Sequence, residues 1–298
     1  GTEYFYMLLT TVIYWCVDTT LGLRIGLILL VSDSVKSFFK VLLHSPRPYW
    51  IDPRVQALAA ESSFGMPSGH SLSAMSIWGM FAATVKRKSF WPAVLIILLM
   101  GISRIYLGVH FLHDVVLGWL IGGLLLVIFV YFEKPVVDWF IHLPLELRIA
   151  AAYGSAILMV AAGMAVFAIT SAWSLPDSWI STALAANPAE PIDPLNLEGV
   201  FTVSGTWFGM TAGLALLAGG NGGHDPHGPT RSRILRFLLG IAGLGIIYFG
   251  LNLIFPDTPD FIGYVFRFVR YSLVGFWVTW LAPLIFVKLG LAQPRTAV

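Results

Sequence analysis

Apolar residues in this chain are gathered into long blocks separated by short polar stretches, and the blocks set its organisation. They predict helices over roughly 3–17, 21–43, 68–85, 90–108, 111–132, 146–171, 198–218, 234–255 and 264–290. Most approach the ~20 residues that a helix needs to cross a bilayer; the first is short for that task. Between them lie a proline-bearing loop, HSPRPYWIDPRVQALAAESSFGMP (44–67), a basic turn, KRK (86–88), and a bend, EKPVVDW, around Pro135. Two further loops are long. Residues 171–196 contain no Lys or Arg, and GGNGGHDPHGPTRSR (219–233) ends basic. No internal repeat is evident, and Pro135 is the natural boundary between an N-terminal part (1–135) and a C-terminal helical extension (136–298).

Composition agrees with the blocks. The chain is 57% hydrophobic and 11% charged with a mean hydropathy of +0.79, whereas a soluble domain carries roughly 25% charged residues. The expected class is therefore an all-α, polytopic transmembrane helical bundle in contact with membrane lipids. A net charge of +2 suggests no nucleic-acid partner. Cys16 is the only cysteine, so no disulfide can form within the chain, and it reads as a small buried apolar residue. The first apolar block begins almost at Gly1 without a basic segment before it, which suggests a missing native start. Nothing in the sequence sets an oligomeric state.

If the helices alternate in direction, loops 44–67, 104–110, 171–196 and 256–263 share one face. The other face then collects Arg24, Lys86, Arg87, Lys88, Lys134, Arg148, Arg231, Arg233, Arg236, Lys288 and Arg295, eleven of the eighteen Lys and Arg. The positive-inside rule makes that basic face cytoplasmic and the first face extracytoplasmic.

Three segments on the first face carry polar chemistry: KVLLHSPRP (40–48), PSGH (67–70) and RIYLGVHFLHD (104–114). Charged groups at membrane depth are functional by default. Lys40, Arg47 and Arg104 would repel one another unless an anion sat between them, and the arginine fork suits phosphate oxygens. PSGH opens a helix whose free N–H groups favour an anion, and Gly69 permits close backbone approach. The expected ligand is a phosphate. His110 and Asp114, four apart, are expected on one helical face with the carboxylate on one ring nitrogen, freeing the other for nucleophilic attack. His70 is then the candidate acid for the leaving oxygen.

Lys40 with Arg47-Pro48, then Pro67-Ser68-Gly69-His70, then Arg104 with His110 and Asp114 together resemble, in order and spacing, the three-part signature of the type 2 phosphatidic acid phosphatase family. The resemblance covers residues 1 to about 132. The wording FGMPSGH and SRIYLGVH is similar to the sphingosine-1-phosphate phosphatase branch and its bacterial relatives, a branch that also carries extra C-terminal helices. The resemblance implies metal-independent removal of phosphate from a lipid phosphate through a phosphohistidine at His110. It implies His70 as the acid, Lys40, Arg47, Ser68, Gly69 and Arg104 as phosphate ligands, and no cofactor or metal. A lipid phosphotransferase using the same pocket and a non-catalytic lipid-phosphate binding or transport protein are the alternatives.

Other polar residues have plainer readings. His113 with Asp114, and His44 or His70, could suggest a metal site, but three nearby cations oppose it. His113 is expected at the interface without a role, and His44 is open to a substrate contact. GGNGGHDPHG, with His224 and His227, reads as a flexible solvated connector because it lacks the lysine of a phosphate loop. Arg267 and Arg270 read as interfacial anchors or as contacts to a head group or the core helices. Trp50, Trp173 and Trp179 read as an interfacial aromatic belt.

Overall fold

The structure, a computed structural model, describes residues 2–85, 90–220 and 223–295; the basic turn 86–88 lies outside the described residues. Among the described residues, twelve helices follow in chain order: α1 (Thr2–Cys16), α2 (Thr19–Leu43), α3 (Pro48–Ile51), α4 (Gly69–Thr84), α5 (Phe90–Tyr106), α6 (Leu112–His142), α7 (Leu145–Ile169), α8 (Asp177–Ala186), α9 (Glu198–Leu217), α10 (Thr230–Asn252), α11 (Phe261–Phe276) and α12 (Ala282–Lys288). A π-helical segment, Trp277–Leu281, joins the last two into one rod. No strand forms among the described residues, so the class is all-α. Among them, α6, α7, α9, α10 and the Phe261–Lys288 rod are long and apolar enough to cross a membrane. The block at 21–43 has the length but is interrupted by Arg24, Asp33, Lys36 and Lys40.

Several expectations are corrected. The helix does not break at Pro135: α6 runs through it, with Lys134 paired to Asp138 across the site at 2.6 Å. Helices in lipid tolerate proline because neighbouring groups can satisfy the freed carbonyl. Loop 171–196 is not wholly irregular either, since it holds α8.

The chain divides into two compact units. One comprises Gly1–Leu30, Phe132–Val160 and Glu198–Val298; the other comprises Val31–Tyr131 and Ala161–Leu197. In the first, Tyr14, Trp15, Trp277 and Phe286 form the buried centre, and the indole N–H groups of Trp15 and Trp277 donate to Val278 O (3.0 Å) and Gly240 O (2.9 Å). Cys16 is buried there, as expected, and donates to Arg233 O. The described residues of the glycine-rich loop are a solvated connector only in part, since Gly219, Gly220 and His227–Thr230 are exposed whereas His224 and Pro226 are buried. His224 is 2% exposed with its ring edge-on to Tyr14 and near Phe286, while buried Arg236 donates to the carbonyls of Asp225, Pro226 and His227. Arg267 pairs with Glu198 and Asp257, and buried Arg270 binds Asn252 and lies over the rings of Tyr248 and Tyr271.

In the second unit, α4 and α6 meet through small residues, as helices packed in lipid do. A Cβ on Gly118 would stand 2.7 Å from Ser68 O, and one on Gly122 would stand 2.6 Å from Leu72 O. Ser32 of α2 donates to Ser76 of α4 (2.8 Å), which in turn reaches Gly122 O of α6. Trp50 is not in an aromatic belt: it is fully buried with Tyr49, Phe64 and Val109, and Trp173, Trp179 and Ala183 pack on that cluster. Aromatic residues near helix ends have the same sequence signature whether they face lipid or each other, and here they cover the loops that hold the polar groups.

Candidate active site

The three polar segments converge within the second unit. Lys40 ends α2, His70 begins α4, Arg104 ends α5 and Asp114 lies in the first turn of α6, so one end of the bundle presents all of them.

The turn that leads into α6 is built locally. Gly108 takes φ +70°, a left-handed conformation costly for other residues, and lets the chain leave α5 tightly. Phe111 then caps α6, and Asp114 Oδ2 accepts the Phe111 N–H at 2.9 Å, the reciprocal half of a capping box. The same oxygen stands 3.3 Å from His110 Nδ1. His110 therefore precedes the helix instead of sharing a face with Asp114; the spacing brings them together through a cap. His113, expected at the interface without a role, places Nε2 3.3 Å from the other oxygen of Asp114 and stacks on Phe111.

On its far side, His110 Nε2 lies 3.2 Å from Arg47 Nη1. A guanidinium only donates, so Nε2 is the unprotonated nitrogen and Nδ1–H points to Asp114. Burial, and then the charges of Arg47 and Lys40, hold the imidazole well below its usual pKa. His110 is therefore neutral, with its lone pair on the atom that faces the cations.

Arg47 is fully buried. It donates to Ser63 O (2.7 Å), Val109 O (3.0 Å) and Phe64 O (3.2 Å), bracing loop 61–64 against the His110 turn. Lys40 is 8% exposed and donates to Ser63 Oγ at 2.8 Å. Arg104 Nη1 lies 3.3 Å from His70 Nε2. Ser68 is the N-cap of α4: its Oγ accepts from the Ser71 N–H and hydroxyl, and its own N–H donates to Asp114 O at 2.9 Å. Of the PSGH backbone, the N–H groups of Gly69 and His70 are then the ones at the open helix end. A Cβ at Gly69 would stand 2.6 Å from Lys36 Cδ, so this glycine makes room for a further lysine, itself paired with Asp33 at 2.6 Å.

Sequence reasoning missed Glu61. Its carboxylate lies 3.4 Å from Arg47 Nη2 and 3.9 Å from His70 Nδ1. Burial raises its pKa, but Arg47, then Lys40, His70 and Arg104, outweigh that and keep it lowered and ionised. The buried Tyr49 hydroxyl donates to Glu61 O (2.9 Å) and accepts from its N–H (3.2 Å), fixing an otherwise irregular loop. No local pattern marks Glu61; its only signal was the absence of a carboxylate near the cations in sequence. His44, with φ +47°, stacks on Trp173 at 4.2 Å. Among the described residues, no group of three or more His, Cys, Asp or Glu is placed to hold a metal ion.

Two family models match the chain: "PAP2 superfamily" over residues 21–137 and "PAP2 superfamily phosphatase, transmembrane extension" over 201–294. Phosphatidylglycerophosphatase B of Bacillus subtilis (strain 168) is 35% identical over 123 residues, 37% of this chain and 58% of that protein. Sphingosine-1-phosphate phosphatase 1 of Mus musculus is 33% identical over 148 residues, 46% and 33% of the two chains. Bacitracin transport permease protein BcrC of Bacillus licheniformis is 31% identical over 148 residues, 48% and 71% of the two chains. The chain thus spans little more than half of the first protein and a third of the second. A crystal structure of a transmembrane PAP2 type phosphatidylglycerolphosphate phosphatase from Bacillus subtilis aligns with a TM-score of 0.37 and 26% identity, over 46% of this chain and 71% of that one.

Proposed function

The chain belongs to the PAP2 superfamily, and from that membership we propose that it is an integral membrane phosphatase that hydrolyses a lipid phosphate through a phosphohistidine on His110. One observation carries the reading: Asp114 holds Nδ1–H of a neutral His110, whose Nε2 lone pair faces a buried arginine and the other cations. Binding a phosphate needs only the cations; an oriented, unprotonated imidazole adds a nucleophile.

The phosphoryl group is taken up by Lys40, Arg47 and Arg104 together with the Gly69 and His70 N–H groups, which hold charge on its equatorial oxygens in the transition state. Nε2 of His110 attacks phosphorus as the bond to the lipid oxygen breaks, and His70 gives that oxygen a proton. Water then attacks the phosphohistidine, His70 takes the proton back, and the N–P bond breaks to release inorganic phosphate. No metal takes part in either step. All the side chains named lie within residues 1–135, while 136–298 supplies Trp173 and α8, which cover the catalytic loops. The distribution of Lys and Arg supports an extracytoplasmic site that substrate enters from the outer leaflet.

The test is phosphate release by detergent-solubilised protein across lysophosphatidate, phosphatidate, sphingoid base phosphate, polyprenyl phosphate or diphosphate, and phosphatidylglycerol phosphate. A chelator is present and His110→Ala is the control. Release that is abolished in the control and indifferent to the chelator is expected. Turnover in His110→Ala removes the nucleophile, and loss of activity with chelator removes the metal-free account.

A further inference from the structure

The two histidines of the site share one arrangement. His110 places Nε2 at 3.2 Å from an arginine and Nδ1 at 3.3 Å from Asp114. His70 places Nε2 at 3.3 Å from Arg104 and Nδ1 at 3.9 Å from Glu61. Since Arg104 can only donate, the nitrogen of His70 that faces it is unprotonated in the neutral ring, and the proton sits on Nδ1, towards the carboxylate.

We propose that Glu61 is the positioning residue of His70, holding Nδ1–H so that Nε2 is the nitrogen that exchanges a proton with the leaving oxygen, and supplying the negative charge that stabilises the ring when it is protonated. This rests on the assignment of His70 as the acid. The need is electrostatic. An acid must carry its proton when the ester bond breaks, yet burial, and then Arg104 beside the ring with Lys40 and Lys36 near, oppose an imidazolium at His70. Glu61 is the carboxylate that the structure sets against this ring, and an ion pair at low dielectric outweighs the same pair in water. At 3.9 Å the pair is in ion-pair range. The loop is built to deliver it, because Tyr49, itself 2% exposed, holds both backbone groups of Glu61 with one hydroxyl.

A residue that only braced Arg47 or the loop would matter equally for every phosphate ester. A residue that acts through the acid matters in proportion to how badly the leaving group needs a proton. The experiment is single-turnover release of the leaving group from an alkyl lipid phosphate and from a nitrophenyl phosphate, by wild type, Glu61→Gln and His70→Ala. Glu61→Gln is expected to slow the alkyl ester about 100-fold, within the range of general acid catalysis, and the nitrophenyl ester less than about threefold. Equal slowing of both esters, or none, overturns the proposal. His70→Ala tests the underlying assignment separately: if it fails to discriminate the two esters, the acid is elsewhere whatever Glu61 does. If Glu61→Gln cannot be recovered folded, Glu61→Asp withdraws the carboxylate from Nδ1 while keeping its charge, and is read by the same two rates.

Discussion

Arg47 Nη1 donates to Val109 O at 3.0 Å and faces His110 Nε2 at 3.2 Å, so one buried guanidinium fixes both the backbone before His110 and the direction of the imidazole lone pair. Its other nitrogens hold Ser63 O and Phe64 O. A lysine would keep the charge but could not span three carbonyls and the imidazole. Arg47→Lys is therefore expected to lower kcat/KM for any lipid phosphate by at least about 100-fold, since several hydrogen bonds to a charged group are lost at roughly 1.5–3 kcal/mol each. Phosphate release beside a thermal midpoint in detergent checks this. A variant with wild-type activity would show that the brace is dispensable.

Asp114 Oδ2 accepts from the Phe111 N–H and lies within reach of His110 Nδ1. In Asp114→Asn a single amide oxygen must serve both donors, or the amide N–H₂ must face Nδ1 and drive the ring into the other tautomer. Turnover should fall on the order of 10³–10⁴-fold, as when a His–Asp pair loses its carboxylate elsewhere. The helix cap should survive in part, so circular dichroism and the yield of folded protein are expected to change little. A rate within tenfold of wild type would count against the orienting role.

Acid should destabilise the first unit through His224. Burial, and then the charge of Arg236, lower its pKa from 6.5 to about 4, and its Nε2 has no hydrogen-bond partner. As pH falls below 6.5 the unfolded chain takes up a proton that folded His224 refuses, so its stability contribution is complete above 6.5 and is lost progressively down to about 4. By pH 5.5 the loss is about 1 kcal/mol. His224→Phe, which fills the space beside Tyr14 and Phe286 without titrating, is expected to show a smaller drop in thermal midpoint between pH 7.5 and 5.5. An equal drop would assign the acid sensitivity to other groups.

The parts legible in the sequence were those with a local signal. Apolar blocks gave the helices because a helix in lipid satisfies its own backbone, and the spacing of Lys40, Arg47, His70, Arg104, His110 and Asp114 marked groups that do meet. What stayed hidden depends on loops. Glu61 reaches the site only because Tyr49 clamps its backbone. Trp50, Trp173 and Trp179 pack together because α8 folds over the loops that carry the polar groups, a tertiary event that the segment's composition does not record. The buried His224 was concealed by glycines that normally signal a solvated connector. The geometry of His110 and Asp114 was right in outcome and wrong in cause, since a helix cap, not a helical face, brings them together.

That cap depends in turn on how closely α4 approaches α6. Ser68 donates its N–H to Asp114 O, and Gly118, one turn along α6, leaves no room beside the Ser68 carbonyl: a Cβ there would meet that oxygen at 2.7 Å and Ser71 Cβ at 3.1 Å. The first of these atoms is backbone and cannot rotate away. Gly118→Val should push the PSGH turn off α6, costing about 1–3 kcal/mol by overpacking and moving the Gly69 and His70 N–H groups relative to His110. Misplacement of about 1 Å can cost on the order of 100-fold in rate. The expected variant folds with a lowered thermal midpoint and loses at least that much activity on both alkyl and nitrophenyl phosphates, because phosphate seating and not proton transfer is damaged. That equal loss separates it from Glu61→Gln; a Gly118→Val protein that kept the nitrophenyl rate would show that the α4–α6 contact does not set the phosphate site.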